Sequence, residues 1–331
     1  MRLDWRTDWD TGGNAYGFHY HNSRLRDACQ RLGVELDADA PIAVHVGPPD
    51  GWQPVAGKFN VLFTAWEYEV LPQRFAEGAR RADLIVVPAT FLRNVFASLC
   101  KPVAVVPLGV DEPTITIPAR RQAPRGPNGT FRILWNAAPS RRKGHELLMP
   151  LWEGLCVLSK RLKLPKCELY IKTTFAGTEG VRNDFGKRWP VVFDNRKLKR
   201  DDYWRLLASS DIFLFTSFGE GFGLTLAEAM RAGCACVYPK NTAMLDYAVG
   251  MGVRCENGRI QWDGVGELPC YPPKQDEMLK ALVELLTNPR RIIHLGYEAQ
   301  IAIKRYTWEA TARQFLSAVE KHYARSAIRS R

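Results

Sequence analysis

Short apolar runs recur along the chain, and segments with helical spacing of apolar residues separate them. The runs predict buried strands at 1–5, 42–46, 59–65, 84–88, 103–106, 131–137, 168–173, 191–193, 211–217 and 234–238. The helical segments lie at 19–32, 73–81, 92–99, 145–161, 201–209, 224–231, 274–286 and 290–304. This alternation of strands and helices predicts an α/β protein with parallel sheets.

Residues 113–130 break the pattern, because they are rich in proline, glycine and arginine. Such a composition is typical of a linker between domains. We therefore predict a reduced N-terminal Rossmann-like domain at 1–112 and a second α/β domain at 131–305. A final helix is predicted at 306–331, with Thr307 as its N-cap. A chain of 331 residues is long enough for two such domains.

The most informative stretch is FGEGFGLTLAEAMRAG at 218–233, which follows the apolar run 211–217. A strand, a glycine-rich turn and a helix start together present backbone N–H groups to a phosphate. Glu220 lies in the turn, and Glu228 lies one turn into the helix. From there Glu228 can lean back toward the helix N-terminus and accept two hydroxyls of a ribose. The alternative is a surface turn with two solvated glutamates.

This stretch resembles the donor-binding motif of retaining GT-B glycosyltransferases, glycosyltransferase family 4 in particular. The family pattern of Glu, seven residues, Glu matches Glu220 and Glu228. The resemblance implies two Rossmann-like domains with an interdomain cleft and a last helix that crosses back to the first domain. It implies a nucleoside-diphosphate sugar as donor substrate, UDP-glucose by default, with no other cofactor. Transfer is expected to retain the anomeric configuration and to need no metal, since no Asp-x-Asp metal motif accompanies the nucleotide site.

The resemblance also assigns roles to single residues. Glu228 would hold the ribose, Glu220 the sugar hydroxyls, and Lys143, which precedes Gly144, the diphosphate. The further residues expected to contact the donor are Gly221, Phe222, Gly223, Leu224, Thr225, Asn195 and Leu198. The family usually has an arginine about six residues before this lysine, where the chain reads Asn136-Ala137-Ala138. Either Arg141 or Arg142 substitutes for it, or the phosphates are held by one cation fewer.

The N-terminal half offers weaker candidates. Gly12 and Gly13 form a turn that resembles the loop by which the family's first domain reaches the donor. His45, near the end of a predicted strand, resembles a histidine found close to the transferred sugar. A structural histidine is the alternative, and His19 and His21 rank lower.

The composition is that of a globular protein, with 46% hydrophobic and 24% charged residues. No apolar run approaches the ~18 residues of a membrane span, and the start lacks the apolar core of a signal peptide. The expected location is therefore the cytoplasm. None of the eight cysteines forms a Cys-x-x-Cys pair, so Cys234 and Cys236 are interpreted as small apolar residues rather than metal ligands.

The formal net charge of +11 indicates an anionic partner. A glycan, glycolipid or small-molecule acceptor is the first hypothesis. The alternative is a DNA glycosyltransferase that acts on 5-hydroxymethylpyrimidine bases, because cations at 120–125, 141–142 and 182–200 can bind phosphates. A catalytically degenerate module that binds sugar or nucleic acid is the third. The sequence leaves the oligomeric state open.

Overall fold

The computed structural model describes residues 1–6, 16–117, 124–173, 190–262 and 264–329. The strands, numbered β1 to β14 in chain order, are Arg2–Arg6, Glu35–Leu36, Ile42–Val46, Phe59–Phe63, Leu84–Val87, Val103–Val105, Phe131–Asn136, Cys167–Lys172, Val191–Asp194, Ile212–Leu214, Ala235–Pro239, Met251–Val253, Gly258–Trp262 and Gly266–Cys270. The α-helices, numbered α1 to α10, are Tyr16–Arg31, Gln73–Arg80, Thr90–Ala97, Leu148–Leu162, Arg200–Ala208, Leu224–Arg231, Met244–Tyr247, Gln275–Thr287, Pro289–Ile303 and Trp308–Arg329. Among these helices, none combines the length and apolar character needed to cross a membrane.

The chain divides into two compact units. One unit consists of Met1–Gly109 together with Arg305–Arg331, and the other of Val110–Lys304. In the described residues, each unit contains a six-stranded sheet whose neighbouring strands all run parallel. This confirms the predicted α/β class.

The first unit has the strand order β2-β1-β3-β4-β5-β6. Helix α10 returns to this unit and buries Phe315 against the sheet. The Phe315 ring stacks on Phe63 with 5.9 Å between centroids and meets the edge of Trp5 at 6.1 Å. At the start of the helix, the Thr307 hydroxyl accepts the backbone N–H of Ala310 at 3.1 Å. That contact is the N-cap bond expected from the sequence.

The second unit has the strand order β12-β11-β10-β7-β8-β9. Apolar residues of β7, β10 and β11 pack against α4 and α8 in one core that includes Trp135, Leu151 and Leu285. Strand β10 is shorter than the predicted run 211–217. Asp211, which begins the predicted run, lies just before the strand and is buried; its carboxylate accepts the backbone N–H groups of Arg125 and Arg132 at 2.9–3.1 Å.

An antiparallel hairpin formed by β13 and β14 was not predicted. Its strands are short, and their alternation of polar and apolar residues is interrupted by glycines. Gly264 and Gly266 have φ of 76° and 100°, a backbone region that glycine enters without steric cost. The hairpin thus depends on turn geometry more than on an apolar run.

Candidate active site

Helix α6 starts at a glycine that no other residue replaces without strain. Gly223 is the N-cap residue, with φ 89° and ψ 53°. A Cβ on Gly223 would lie 3.0 Å from the Tyr247 hydroxyl oxygen, which itself is 2.9 Å from the carbonyl oxygens of Phe222 and Gly223. Among the described residues, no side chain caps this helix start. The first N–H groups, from Leu224 and Thr225, have no acceptor within the helix and give it a positive end.

Glu220 lies in the glycine turn just before this helix, and donors from two loops surround its carboxylate. Lys143 Nζ is 2.5 Å from Oε1, and Arg142 Nη1 is 3.2 Å from Oε2. The Ser217 hydroxyl donates to Oε1 at 2.7 Å. The backbone N–H of Glu220 donates to the Thr242 hydroxyl at 2.9 Å. These contacts fix the position of a side chain that is 5% exposed.

Burial by itself raises the pKa of the Glu220 carboxyl, because a medium of low polarity disfavours the charged form. The positive charges of Lys143 and Arg142 outweigh burial and lower this pKa to about 2. The carboxylate is therefore ionised at neutral pH. Two cations and one anion leave a net positive charge next to the helix start, and this charge suits an anionic ligand.

The two cations are placed by a close contact between loops. Residues Arg141–Lys143 form a 3₁₀ turn after β7, and Gly144 follows with φ 65°. A Cβ on Gly144 would lie 2.3 Å from the carbonyl oxygen of Thr216, so only glycine lets the loops approach. Because β7 and β10 are adjacent and parallel, their following loops meet at the carboxyl ends of the strands, where open α/β sheets bind ligands.

Of the two arginines considered as substitutes, Arg142 lies in the site. Its guanidinium also donates to the carbonyl oxygen of Gly219 at 2.9 Å, which anchors it over the glycine turn. Arg141 has a different neighbour, since its Nε is 3.7 Å from Glu146 and its side chain is 61% exposed. The geometry therefore favours Arg142 as the second cation.

Glu228 projects from the second turn of α6 and is held by helix α5. Arg200 Nη2 lies 2.8 Å from Oε1, and the Tyr203 hydroxyl donates to Oε2 at 2.8 Å. Tyr203 in turn accepts a hydrogen bond from Asn136 at the end of β7, at 3.0 Å. Burial raises the pKa of Glu228, and the charge of Arg200 only partly offsets that effect.

The sequence did not single out Arg200, Tyr203 or Asn136 as members of the site. No motif spacing joins them to Glu228, because they lie on another helix and another strand. The one signal is that the segment after β9 carries several cations, which belong to the range 182–200 interpreted above as able to bind phosphates.

The segment expected to contact a nucleobase forms a turn after β9. Asn195 is exposed and Leu198 is half-buried. The turn is fixed by Asp194, which accepts the Arg196 guanidinium at 2.9 and 3.0 Å and the Tyr170 hydroxyl at 2.8 Å. A buried lysine also donates to this turn: Lys172 Nζ bonds the carbonyl oxygen of Arg196 at 2.5 Å. Sequence reasoning missed that lysine, which stands at the end of an apolar strand.

Of the three histidine candidates in the first unit, His45 and His21 are buried and His19 is exposed. His45 is buried, packs on Trp52 with 4.5 Å between ring centroids, and places Nε2 3.4 Å from Asn60 Oδ1. This environment favours the structural alternative, and a catalytic role for His45 stays a prediction. His21 packs on Phe63 at 4.3 Å, and burial lowers its pKa to about 3. Gly12 and Gly13 lie outside the described residues.

Part of the site lies in a segment that matches a known family. Residues 193–300 match the family model described as glycosyl transferases group 1. Over 138 residues the chain is 29% identical to an MMP alpha-(1->4)-mannosyltransferase of Mycolicibacterium hassiacum. That match covers 41% of this chain and 31% of the relative, so it spans less than a third of the relative's length.

Solved structures extend the likeness to most of the chain. A UDP-forming alpha,alpha-trehalose-phosphate synthase from Burkholderia xenovorans superposes with a TM-score of 0.64 at 13% identity, over 91% of this chain and 78% of that one. HepE of Anabaena, in complex with UDP and glucose, gives a TM-score of 0.64 at 15% identity, over 89% of this chain and 80% of that one. The chain has the GT-B fold.

In this GT-B protein the glycine turn, Glu220 and Glu228 all fall inside the matched segment, whereas Arg142 and Lys143 precede it. The resemblance to GT-B glycosyltransferases stated from the sequence is confirmed. The two cations reach the site through the close contact of Gly144 with the β10 loop, and the fold is what brings them there.

Proposed function

We propose that this protein is a glycosyltransferase that moves a sugar from a nucleoside-diphosphate sugar to an acceptor hydroxyl. Glu228 binds the ribose, and Glu220 binds hydroxyls of the sugar. Lys143, Arg142 and the first N–H groups of α6 stabilise the departing diphosphate. Preformed positive charge of this kind lowers the barrier to leaving-group departure, and we expect it to act without a metal.

One observation carries the proposal. The Glu220 carboxylate, in the glycine turn that precedes α6, pairs with two cations from the loop after β7, and Glu228 stands eight residues further along the chain. A carboxylate that is ionised at neutral pH accepts sugar hydroxyls, while the excess positive charge attracts a diphosphate. UDP-glucose is the proposed donor, supported by UDP and glucose in the Anabaena structure. Retention of configuration is part of the same proposal.

The test is donor binding and turnover. Calorimetry with UDP-glucose should give measurable affinity for the natural chain and at least about tenfold weaker binding for Glu228→Ala, since charged hydrogen bonds to the ribose are lost. Glu267→Gln, which breaks an exposed ion pair with Arg259, is the matched control and should bind normally. Unchanged affinity in Glu228→Ala would contradict the ribose assignment.

A glycan, glycolipid or small molecule is the proposed acceptor class. Release of UDP from the donor, followed in a coupled assay, distinguishes a transferase from a module that binds sugar or nucleic acid without turnover. Binding without UDP release over a panel of sugar acceptors would favour the module.

DNA is the second candidate acceptor, and one observation favours it. Lys197 and Lys199 are exposed in the turn after β9, and Arg196, also exposed, pairs with Asp194. Other cations in the ranges 120–125, 141–142 and 182–200 have internal partners as well: Arg125 donates to the Ala208 carbonyl oxygen, and Arg142 and Arg200 contact the two glutamates. Arg120, Arg121, Arg182, Lys187 and Arg188 lie outside the described residues.

Transfer of labelled glucose to duplex DNA that contains 5-hydroxymethylcytosine or 5-hydroxymethyluracil tests this candidate. Label on the modified duplex and none on unmodified DNA would establish a DNA acceptor. UDP release without label on DNA would exclude it and leave the sugar or small-molecule acceptors.

A further inference from the structure

Two side chains of helix α5 donate hydrogen bonds to the Glu228 carboxylate, and the proposed binding of ribose does not by itself explain them. Each carboxylate oxygen receives one donor from this helix, Arg200 on Oε1 and Tyr203 on Oε2. The same Arg200 nitrogen also lies 3.3 Å from Asp111 Oδ2. One guanidinium is thus shared between two carboxylates, of which Glu228 is the nearer.

The number of lone pairs allows these contacts to persist when a donor binds. An ionised carboxylate offers about four lone-pair positions. Arg200 and Tyr203 use two of them, and two remain, which is the number that two ribose hydroxyls need. The donors on α5 therefore fix the carboxylate plane instead of competing with the ribose.

Arg200 is itself held in place by aromatic rings. Its guanidinium carbon lies 4.9 Å from the Trp204 ring centroid and 5.4 Å from that of Tyr203. Trp204 is fully buried, and this ring orients the planar guanidinium by a cation–π contact. A lysine has no planar group to stack in this way, so it would keep the charge and lose the orientation.

We propose that Arg200 is a positioning residue for the donor: it pairs with the Glu228 carboxylate and orients it for the ribose, and the contact of Arg200 with Asp111 weakens that pairing. This inference rests on the donor role proposed for Glu228.

In the part of the chain that the structure describes, the charged or titratable groups that act on Glu228 are Arg200 and Tyr203 from α5 and Asp111. Burial raises the pKa of Glu228, Arg200 and Tyr203 lower it, and Asp111 raises it. Removing Arg200 should therefore move the titration of Glu228 to higher pH. Removing the charge of Asp111 should move it to lower pH.

The first experiment needs no donor. NMR of the protein with ¹³C-labelled glutamate follows the Glu228 carboxyl through a pH titration, and Glu228→Gln assigns the signal. The expected result is an upward shift in Arg200→Gln, a smaller downward shift in Asp111→Asn, and little change in Arg200→Lys. Arg259→Gln, which removes an exposed cation, is the control. An unshifted titration in Arg200→Gln would overturn the proposal.

The second experiment measures the dissociation constant of UDP by calorimetry from pH 5 to 8. Arg200→Gln should weaken binding at pH 7 by about tenfold, the loss expected when a charged hydrogen bond disappears. As the pH is lowered, the affinity of Arg200→Gln for UDP should begin to fall at a higher pH than that of the natural chain, because its Glu228 carboxylate is protonated at a higher pH. Arg200→Lys should restore the pH profile and only part of the affinity.

The two failures are distinguishable. Equal UDP binding by the natural chain and Glu228→Gln would contradict the binding of ribose by Glu228, and with it the positioning role of Arg200 that rests on it. Loss of binding in Glu228→Gln with an unaltered pH profile in Arg200→Gln would keep the proposed function and overturn the positioning role alone.

Discussion

Glu220 and Glu228 belong to the same turn-and-helix unit and are buried almost equally, at 5% and 6% exposed. Their pKa values nevertheless move in opposite directions. Burial favours the neutral acid at both positions, but the pKa of Glu220 is lowered to about 2 and that of Glu228 is raised. Since residue type and burial are the same, the neighbours of each carboxylate cause the difference.

The number of cations distinguishes the two surroundings. Glu220 receives Lys143 and Arg142, both from one loop. Glu228 receives one cation, Arg200, which it shares with Asp111, and a neutral phenol. The two cations at Glu220 lower its pKa by more than burial raises it, whereas the single cation that Glu228 shares with Asp111 does not offset the effect of burial on the Glu228 pKa. The Glu220 side of the unit is therefore suited to an anionic diphosphate, and the Glu228 side to neutral hydroxyls.

The largest expected effect comes from removing a cation at Glu220. Lys143→Met should lower sugar transfer by about 100-fold or more, the usual cost of losing one preformed donor at a developing charge. A coupled UDP-release assay measures it, and Lys280→Met, which breaks an exposed pair on α8, is the control. Activity within a few-fold of the natural chain would show that Arg142 alone serves the diphosphate.

The same change tests the buried ion pair. Lys143→Met leaves Glu220 with one cation and should lower the free energy of unfolding by about 3 kcal/mol. Adding Glu220→Gln removes the poorly compensated charge and should recover part of that loss. Chemical denaturation of the two single variants and the double variant gives the coupling. Strict additivity would mean that the pair has no energetic coupling.

The opposite pKa shifts predict opposite pH dependence of stability. For Glu220, whose folded pKa is lowered to about 2, the stabilisation is present above the unfolded pKa of ~4.3 and is lost as the pH falls toward 2. It amounts to about 3 kcal/mol. For Glu228, whose folded pKa is raised, the stabilisation is present below the unfolded pKa and is lost as the pH rises through the folded pKa.

Urea unfolding from pH 2.5 to 8 measures both effects by comparison with the glutamine variants. Glu220→Gln should flatten the acidic limb of the stability profile, and Glu228→Gln should flatten the limb above the unfolded pKa. Equal effects of the two substitutions on the same limb would remove the contrast between the two sites.

A smaller effect is expected at the glycine that separates the two glutamates. Gly223→Ala should cost about 1–3 kcal/mol, because its φ of 89° is strained for alanine and the Cβ meets the Tyr247 hydroxyl. Gly264 has a similar φ of 76°, but nothing lies within 4 Å of a Cβ added there. Gly264→Ala therefore measures the cost of the backbone strain without a steric contact. Thermal unfolding compares them, and equal losses would mean that the Tyr247 contact costs nothing.

The smallest effect concerns the phenol at Glu228. Tyr203→Phe should lower stability by about 1 kcal/mol, since one hydrogen bond to a buried carboxylate is lost, and should raise the pKa of Glu228 slightly. Denaturation and the carboxyl titration measure these changes. Tyr297→Phe, at an exposed position on α9, is the control. A lowered Glu228 pKa in Tyr203→Phe would contradict the hydrogen-bond direction.

Much of the second unit was predictable, because local signals agree there. The helix at 224–231 has the same bounds in the structure as in the prediction, since the glycine turn starts it and Gly233, with φ 74°, ends it. In the first unit, strand β3 was also predicted correctly at 42–46. The hairpin β13–β14 was missed, because its turn glycines carry no strand signal.

The sequence by itself determined the α/β class, the glycine turn and the spacing of Glu220 and Glu228, because these features depend on residues close together in the chain. Only the tertiary structure decided that Arg142 rather than Arg141 faces Glu220, and that Arg200 and Tyr203 hold Glu228. Those contacts span 25 to 78 positions of sequence. The Arg142 contact forms because the adjacent parallel strands β7 and β10 place their following loops side by side. The Arg200 and Tyr203 contacts join two helices, α5 and α6, that no local sequence pattern relates.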